Sequence, residues 1–108
     1  MNDALLNQAD YEKFGAVKSM LALFRSHERA AYRGDTVAHS ILVDLQEAIY
    51  SGVLTDAQLE AVEMYFVYGH TQDDIALSLG IGRQRVHSRI NSAVRNIQKI
   101  LNSGDLYK

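Results

Sequence analysis

The sequence contains no cysteine, no proline and no tryptophan. Without cysteine there is no disulfide framework and no thiolate metal site, a composition that fits a reducing cytosol. Without proline the chain lacks the strongest helix breaker, and no apolar run approaches the roughly 18 residues of a membrane span. A basic-then-apolar leader is missing as well. We therefore expect an all-α protein that is soluble, cytoplasmic and not associated with a membrane.

Lysine and arginine are also missing from residues 34–82, a stretch that holds eight acidic side chains. Residues 83–99 reverse this pattern, with five basic side chains and no acidic one. The net charge of −2 therefore combines a strongly acidic stretch with a strongly basic one. This asymmetry would orient a domain on DNA with its basic helix inward. The acidic stretch is either a solvated face or a docking surface for a basic partner, and the sequence favours neither.

Residues 71–101 have the pattern of a short helix, a glycine turn and a long helix. Thr71 is a good N-cap, and Asp73 and Asp74 follow it where the helix dipole favours carboxylates. Gly80 can adopt the left-handed conformation that ends a helix. Gly82 then leaves room for the start of the next helix, which we predict to run to residue 101.

The second helix of this pair is amphipathic and basic. Apolar residues recur at spacings of three or four, which places them on one helix face. This predicted core face consists of Val86, Ile90, Val94, Ile97 and Leu101. The opposite face is polar and carries Gln84, Ser88, Asn91, Arg95 and Lys99. A glycine turn followed by a long basic helix of this kind is a helix-turn-helix signature for DNA binding.

Further helices are predicted upstream of this pair. Thr55 and Gln58 have the spacing of a capping box, which marks a helix start. An apolar stripe through residues 37–51 predicts one helix, and residues 2–32 also have mostly helical spacing. Gly34 is expected to end the earlier stretch before the later one begins. Asp35 or Thr36 is the expected cap between them.

The resulting domain prediction has three parts. Residues 1–52 form a helical N-terminal region, residues 53–101 form the helix-turn-helix region, and residues 102–108 form a C-terminal tail. The predicted fold class is thus all-α, a helical arm followed by a DNA-reading unit.

An ordered set of short motifs extends the helix-turn-helix signature. The set is Leu54-Thr55-Asp56-Ala57-Gln58, Tyr65-Phe66, Gly69, Thr71-Gln72-Asp73-Asp74-Ile75-Ala76, Leu79-Gly80-Ile81 and Arg85-Val86-His87-Ser88-Arg89-Ile90, with Ala93 and Ile97 beyond. In this order the motifs resemble region 4 of bacterial sigma factors, from Val53 to Leu101 without a gap. Two positions differ from that family. Gln58 and its neighbour Ala57 occupy a stretch where an arginine often touches a phosphate, and His87 stands where a basic residue usually follows the buried valine.

The helix that starts at Gly82 is predicted to enter the major groove of double-stranded DNA. Arginine can pair bidentately with guanine and glutamine with adenine, so residues in its first turns are candidates for reading bases. The predicted base-reading residues are Arg83, Gln84, Arg85, His87 and Ser88. The predicted phosphate contacts are Thr71 and Gln72, through amides at a helix N-terminus, and Arg89, Arg95 and Lys99.

The sigma-like resemblance also implies partners. Region 4 of sigma factors binds an upstream promoter element and RNA polymerase, but this chain has no room for the part that melts the start site. We therefore predict a small transcription regulator of the bacterial cytoplasm or nucleoid, of the kind found in phages and mobile elements. Its N-terminal helices would serve as a dimerisation or partner arm, and a two-fold dimer would bind half-sites about 34 to 36 Å apart.

Three other interpretations remain open. One alternative is a phage small-terminase-like subunit that recruits DNA, and another is an adaptor that docks on RNA polymerase without binding DNA itself. A plain helical bundle with a solvated basic helix is the least specific possibility.

Catalysis is not expected from these residues. Helix capping explains Asp73 and Asp74, and an exposed helix face explains Glu60 and Glu63. The four histidines, at positions 27, 39, 70 and 87, lack metal-ligand spacing. Gly80-Ile81-Gly82 follows a helix rather than a strand and lacks a third glycine, so it is not a dinucleotide fingerprint. We therefore predict no enzyme activity, no metal and no cofactor.

Overall fold

A computed structural model of the protein describes residues 21–22 and 24–103. The helices are α1 (Phe24–Tyr32), α2 (Thr36–Ile49), α3 (Asp56–Val62), α4 (Gln72–Leu79) and α5 (Arg83–Ser103). A π-helical segment, Glu63–Val67, continues directly from α3. All regular structure in the described part of the chain is helical, which confirms the prediction of an all-α fold. The predictions for residues 2–20 and 104–108 lie outside the described residues, and the three-part domain division stays a prediction.

The helix starts follow the caps that the sequence predicts. Asp35 caps α2, since its carboxylate accepts a hydrogen bond from the Ala38 amide at 3.0 Å. The capping box of α3 is complete: the Gln58 amide donates to Thr55 Oγ1 and the Thr55 amide donates to Gln58 Oε1, both at 3.1 Å. These bonds satisfy backbone donors that a helix N-terminus leaves without partners, so each start is fixed locally.

Helix α5 lies at the centre of the fold. It packs against α2, α3 and α4, while α1 packs against α2 and the π-helical segment. The five predicted core residues of α5 are all buried, namely Val86, Ile90, Val94, Ile97 and Leu101. Leu45 and Ile49 of α2 and Val62 of α3 belong to the same hydrophobic core. Full burial of one such aliphatic side chain stabilises the fold by roughly 1.5–3 kcal/mol, so this face holds α5 firmly.

The π-helical segment is a feature that the sequence pattern did not predict. Its wider turn is closed by the Tyr68 amide, which donates to the Glu63 carbonyl at 2.9 Å. The segment keeps Phe66 buried and ends just before the loop that leads into α4. No helix in the described residues has the length and apolar character needed to cross a membrane.

Candidate nucleic-acid interface

The turn between α4 and α5 has the geometry expected of a helix-turn-helix. Thr71 Oγ1 accepts a hydrogen bond from the Asp74 amide at 3.1 Å, which caps the start of α4. Gly80 ends α4 with φ 67° and ψ 34°, in the left-handed region. The Ile81 amide donates back to the Ala76 carbonyl at 3.1 Å and closes the turn. The predicted cap and the predicted glycine stop are therefore both confirmed.

The inner faces of α4 and α5 are apolar and hold the two helices together. Ile75 of α4 and Val86 of α5 are both fully buried, and Leu79 and Ile81 pack against the same core at the turn. Because the apolar residues are committed to this contact, the polar side chains of the first turns of α5 point to solvent.

The first two turns of α5 present the predicted base-reading residues. All five of them, Arg83, Gln84, Arg85, His87 and Ser88, are exposed. Four of these residues, together with Gln72 of α4, line one open groove on the surface, and Arg85 is the member that does not line it. The fold thus brings predicted base-reading residues and one predicted phosphate contact onto a single concave surface, which we call the α4–α5 groove.

The predicted phosphate contacts fall into two groups. Thr71 and Gln72 lie at the N-terminus of α4, where backbone amides and the helix dipole favour an anion. Arg95 and Lys99 are exposed further along α5 and line a second surface with Gln98 and Asn102. At 1.5 Å per residue, Lys99 lies about 24 Å along the helix from Arg83, so it is beyond the reach of the same base pairs.

Arg89 differs from the other cations of this helix because it is only partly exposed. It follows Arg85 by one helical turn, which places the two guanidinium groups on one side of α5. The assignments of these positions to bases and to phosphates stay predictions.

Helix α5 is tied on both flanks of its exposed face. On the α4 side, Arg83 Nε lies 3.5 Å from Asp73 Oδ1. On the α3 side, Asn96 Nδ2 donates to Gln58 Oε1 at 3.2 Å, and the same oxygen accepts from the Thr55 amide in the capping box. Polar contacts to α3 and to α4 therefore accompany the apolar packing of α5.

A further pair within α5 shapes the groove. Asn91 Nδ2 lies 2.9 Å from His87 Nε2. This contact joins two polar side chains one helical turn apart on the exposed side of α5. The spacing of four residues on one helix is the sequence signal that could have found this pair.

Sequence reasoning did not assign a role in the interface to Asp73, Gln58, Asn91 or Asn96. The sequence predicts for Asp73 only a favourable charge at a helix start, whereas its contact to Arg83 depends on how the two helices meet. The bond between Gln58 and Asn96 joins residues that are 38 positions apart, and no local pattern predicts such a pairing.

Two titratable groups outside the groove are perturbed. Partial burial raises the pKa of Tyr50 to about 12, and its hydrogen bond to Glu63 adds to the shift. The two oxygens of that bond are 2.8 Å apart. Burial lowers the pKa of His27, and the nearby Asp35 carboxylate opposes this effect. Within the described part of the chain, no three acidic or histidine side chains converge in a way that could hold a metal ion.

Comparison with known proteins agrees with this geometry. The family model described as Sigma-70, region 4 matches residues 52–99, which include α3, the π-helical segment, α4 and most of α5. No match was found among curated proteins or among solved structures.

Proposed function

We propose that this protein is a sequence-specific transcription regulator that inserts α5 into the major groove, a function supported by the match of residues 52–99 to the family model described as Sigma-70, region 4. The α4–α5 groove is the observation that supports this proposal most directly. It brings Gln72 of α4 together with residues in the first turns of α5, whose opposite face is buried, namely Arg83, Gln84, His87 and Ser88. The protein acts by binding, and we assign it no catalytic role.

Base reading is assigned to the first turns of α5. Arg83 and Arg85 carry guanidinium groups that match the O6 and N7 acceptors of guanine, and Gln84 carries an amide that matches adenine. His87 and Ser88 supply further hydrogen-bonding groups one turn later. Each good pairing discriminates against the wrong base by roughly 1–3 kcal/mol.

Phosphate binding is assigned to groups that flank this surface. The amides of Thr71 and Gln72 face a phosphate at the start of α4, while Arg89, Arg95 and Lys99 contact the DNA backbone along α5. Helix α5 carries its five basic side chains without an acidic one. Contacts of this type position the protein on the duplex and make binding depend on salt, because each neutralised phosphate releases counterions.

The proposal extends to partners and location. The regulator would work in the bacterial cytoplasm or nucleoid, in a phage or mobile-element context, and it would contact RNA polymerase through its sigma-like unit. Its N-terminal helical region would form a homodimer, which would set two α5 helices about one DNA turn apart.

Fluorescence anisotropy with labelled duplexes tests this function. The wild-type protein and the double variant Arg83→Ala/Arg85→Ala are titrated with a randomised duplex and with DNA from beside the protein's own gene, at two salt concentrations. We expect salt-sensitive binding that prefers the native DNA and is lost in the double variant. Absence of binding to either duplex at low salt would refute the proposal, and retention on RNA polymerase would then favour an adaptor.

Two single variants separate the proposed roles on α5. Gln84→Ala should change which sequence is preferred, because it removes a base contact. Lys99→Ala should weaken binding to all sequences alike and reduce the salt dependence by about one counterion. If both variants changed affinity uniformly over a panel of single-base substitutions, the division into base-reading and phosphate-binding residues would be wrong. An oligomeric ring in solution would favour a terminase-like subunit.

A further inference from the structure

The ion pair between Asp73 and Arg83 connects the two helices of the α4–α5 groove. Asp73 lies in the first turn of α4 and Arg83 is the first residue of α5, with Nε and Oδ1 3.5 Å apart. Both side chains are well exposed, at 69% for Arg83 and 75% for Asp73. An exposed pair of this kind contributes little to folding, because water screens it. Its position at the proposed DNA surface suggests another purpose.

The geometry of the pair leaves the base-reading edge of Arg83 available. The guanidinium group has five N–H donors, and the Nε–H is the one nearest to Asp73. The two terminal nitrogens therefore remain free to form a bidentate contact with the O6 and N7 atoms of guanine. A carboxylate that holds the Nε side limits the orientations of the fork. Less rotational freedom is then lost when the base contact forms.

Docking on DNA would strengthen this contact. In the free protein the pair is surrounded by water, where the attraction between opposite charges is weak. A duplex that covers the groove displaces that water and lowers the local dielectric constant, so the attraction between the two side chains increases. The orientation of Arg83 is thus enforced most strongly in the bound state.

The Asp73 carboxylate also acts on the DNA itself. It lies next to the amides of Thr71 and Gln72, which are the proposed phosphate contacts at the start of α4. A negative charge at that point repels phosphates on every sequence alike. This repulsion lowers non-specific affinity and leaves base contacts as the main source of binding at this end of the groove.

We propose that Asp73 is a specificity-determining residue of the DNA interface. It orients the Arg83 guanidinium for base recognition, and its charge opposes phosphate binding that carries no sequence information. This inference rests on the proposed function as a sequence-specific DNA binder.

The neighbouring Asp74 provides a matched control. It is exposed, belongs to the same first turn and carries the same charge. Its side chain is not within ion-pair distance of Arg83. Asp73→Asn and Asp74→Asn therefore remove equal charge at almost the same place, and only the first removes the contact to Arg83.

The experiment measures the affinity of the full-length protein for its preferred duplex, for that duplex with single base changes, and for a randomised duplex. We expect both variants to bind the randomised duplex more tightly, by a similar factor of about two to five. For each variant we compare the affinity for the preferred duplex with the affinity for the randomised duplex. This ratio should fall about tenfold further in Asp73→Asn than in Asp74→Asn. That loss corresponds to about 1.4 kcal/mol, within the range of one base contact.

A third variant identifies Arg83 as the residue through which Asp73 acts. In the Arg83→Ala background, Asp73→Asn should have no further effect on base preference beyond that of Asp74→Asn. Equal loss of discrimination in Asp73→Asn and Asp74→Asn would overturn the inference while leaving the proposed function intact. A wild-type protein that binds DNA without any sequence preference would overturn both. Circular dichroism of each variant checks that the helices are retained.

Discussion

Gly80 fixes the direction in which the chain leaves α4, and its replacement by alanine gives a sharp test of the turn. The residue has φ 67° and ψ 34°, and a Cβ atom built on it would meet no heavy atom within 4 Å. The cost of Gly80→Ala therefore comes from backbone conformation alone. A left-handed conformation costs an L-residue roughly 1–2 kcal/mol.

Part of that cost is offset in the unfolded chain. Alanine reduces the conformational entropy of the unfolded state relative to glycine, which favours folding by about 0.4–1 kcal/mol. The net expectation for Gly80→Ala is a loss of about 1 kcal/mol in the free energy of unfolding. In urea this loss corresponds to a fall of about 0.5 M in the midpoint, for a slope near 2 kcal/mol per M.

Gly82 provides the control, two residues away. A Cβ atom at Gly82 would also meet nothing within 4 Å, but the φ of Gly82 is not positive. Gly82→Ala keeps an allowed backbone, and its gain in the unfolded state is offset by a weaker helix N-cap. We expect a change in stability within about 0.5 kcal/mol. Equal effects of the two substitutions in urea unfolding would refute the view that backbone conformation at Gly80 determines this turn.

Three further predictions concern stability. Ile90→Ala, at a side chain that is 1% exposed in the centre of α5, should cost about 2–5 kcal/mol in thermal or urea unfolding. Leu77→Ala, at 86% exposure on α4, should change stability by less than about 0.5 kcal/mol, and a large effect there would mean that this side chain packs in solution. The pKa of Tyr50 is raised to about 12 in the folded protein, which means that folding favours the neutral phenol. The stabilisation from the neutral phenol is therefore complete below pH 10 and is lost as the pH rises towards about 12. Tyr50→Phe should therefore reduce the loss of stability between pH 10 and pH 12. Tyr32→Phe, at a side chain that is 94% exposed, controls for the removal of a phenol. Identical pH profiles of stability for the two variants would contradict the role of the Glu63 contact.

The arrangement of α5 explains how one helix can serve the fold and the proposed interface together. Its apolar face is buried by α2, α3 and α4, so its orientation is fixed by the core. Polar contacts to Asp73 of α4 and Gln58 of α3 lie on the two flanks of its exposed face. A rigid reading helix reduces the entropy lost on binding, which is the physical advantage of placing recognition residues on a packed element.

The acidic residues that precede α5 have a clear consequence for affinity. Residues 34–82 contain no lysine or arginine, so within the proposed DNA-binding unit the attraction for phosphate is expected to depend on the five basic residues of α5. Non-specific binding comes mostly from phosphate neutralisation and should therefore be modest. A protein with a low non-specific affinity for DNA relies on base contacts. In the role proposed above, Asp73 lowers the non-specific affinity at the α4–α5 groove.

The sequence by itself determined the features that depend on neighbouring residues. Helix starts at Thr55 and Thr71 and the stop at Gly80 follow from local hydrogen bonding and backbone sterics, and all three are confirmed. The buried face of α5 follows from helical periodicity, because residues three and four apart share one side. The order of motifs between Val53 and Leu101 led to the sigma-like assignment, which the match over residues 52–99 confirms.

Only the tertiary structure decided which distant groups meet. Asn96 reaches the capping box at Gln58, and Asp73 reaches Arg83 across the turn, because helix packing sets those distances. The π-helical segment is likewise a tertiary outcome, since it keeps Phe66 in the core while α1 packs on the same stretch. Local propensity specifies where each helix begins and which side is apolar, whereas the relative placement of helices depends on the packing of all their side chains at once.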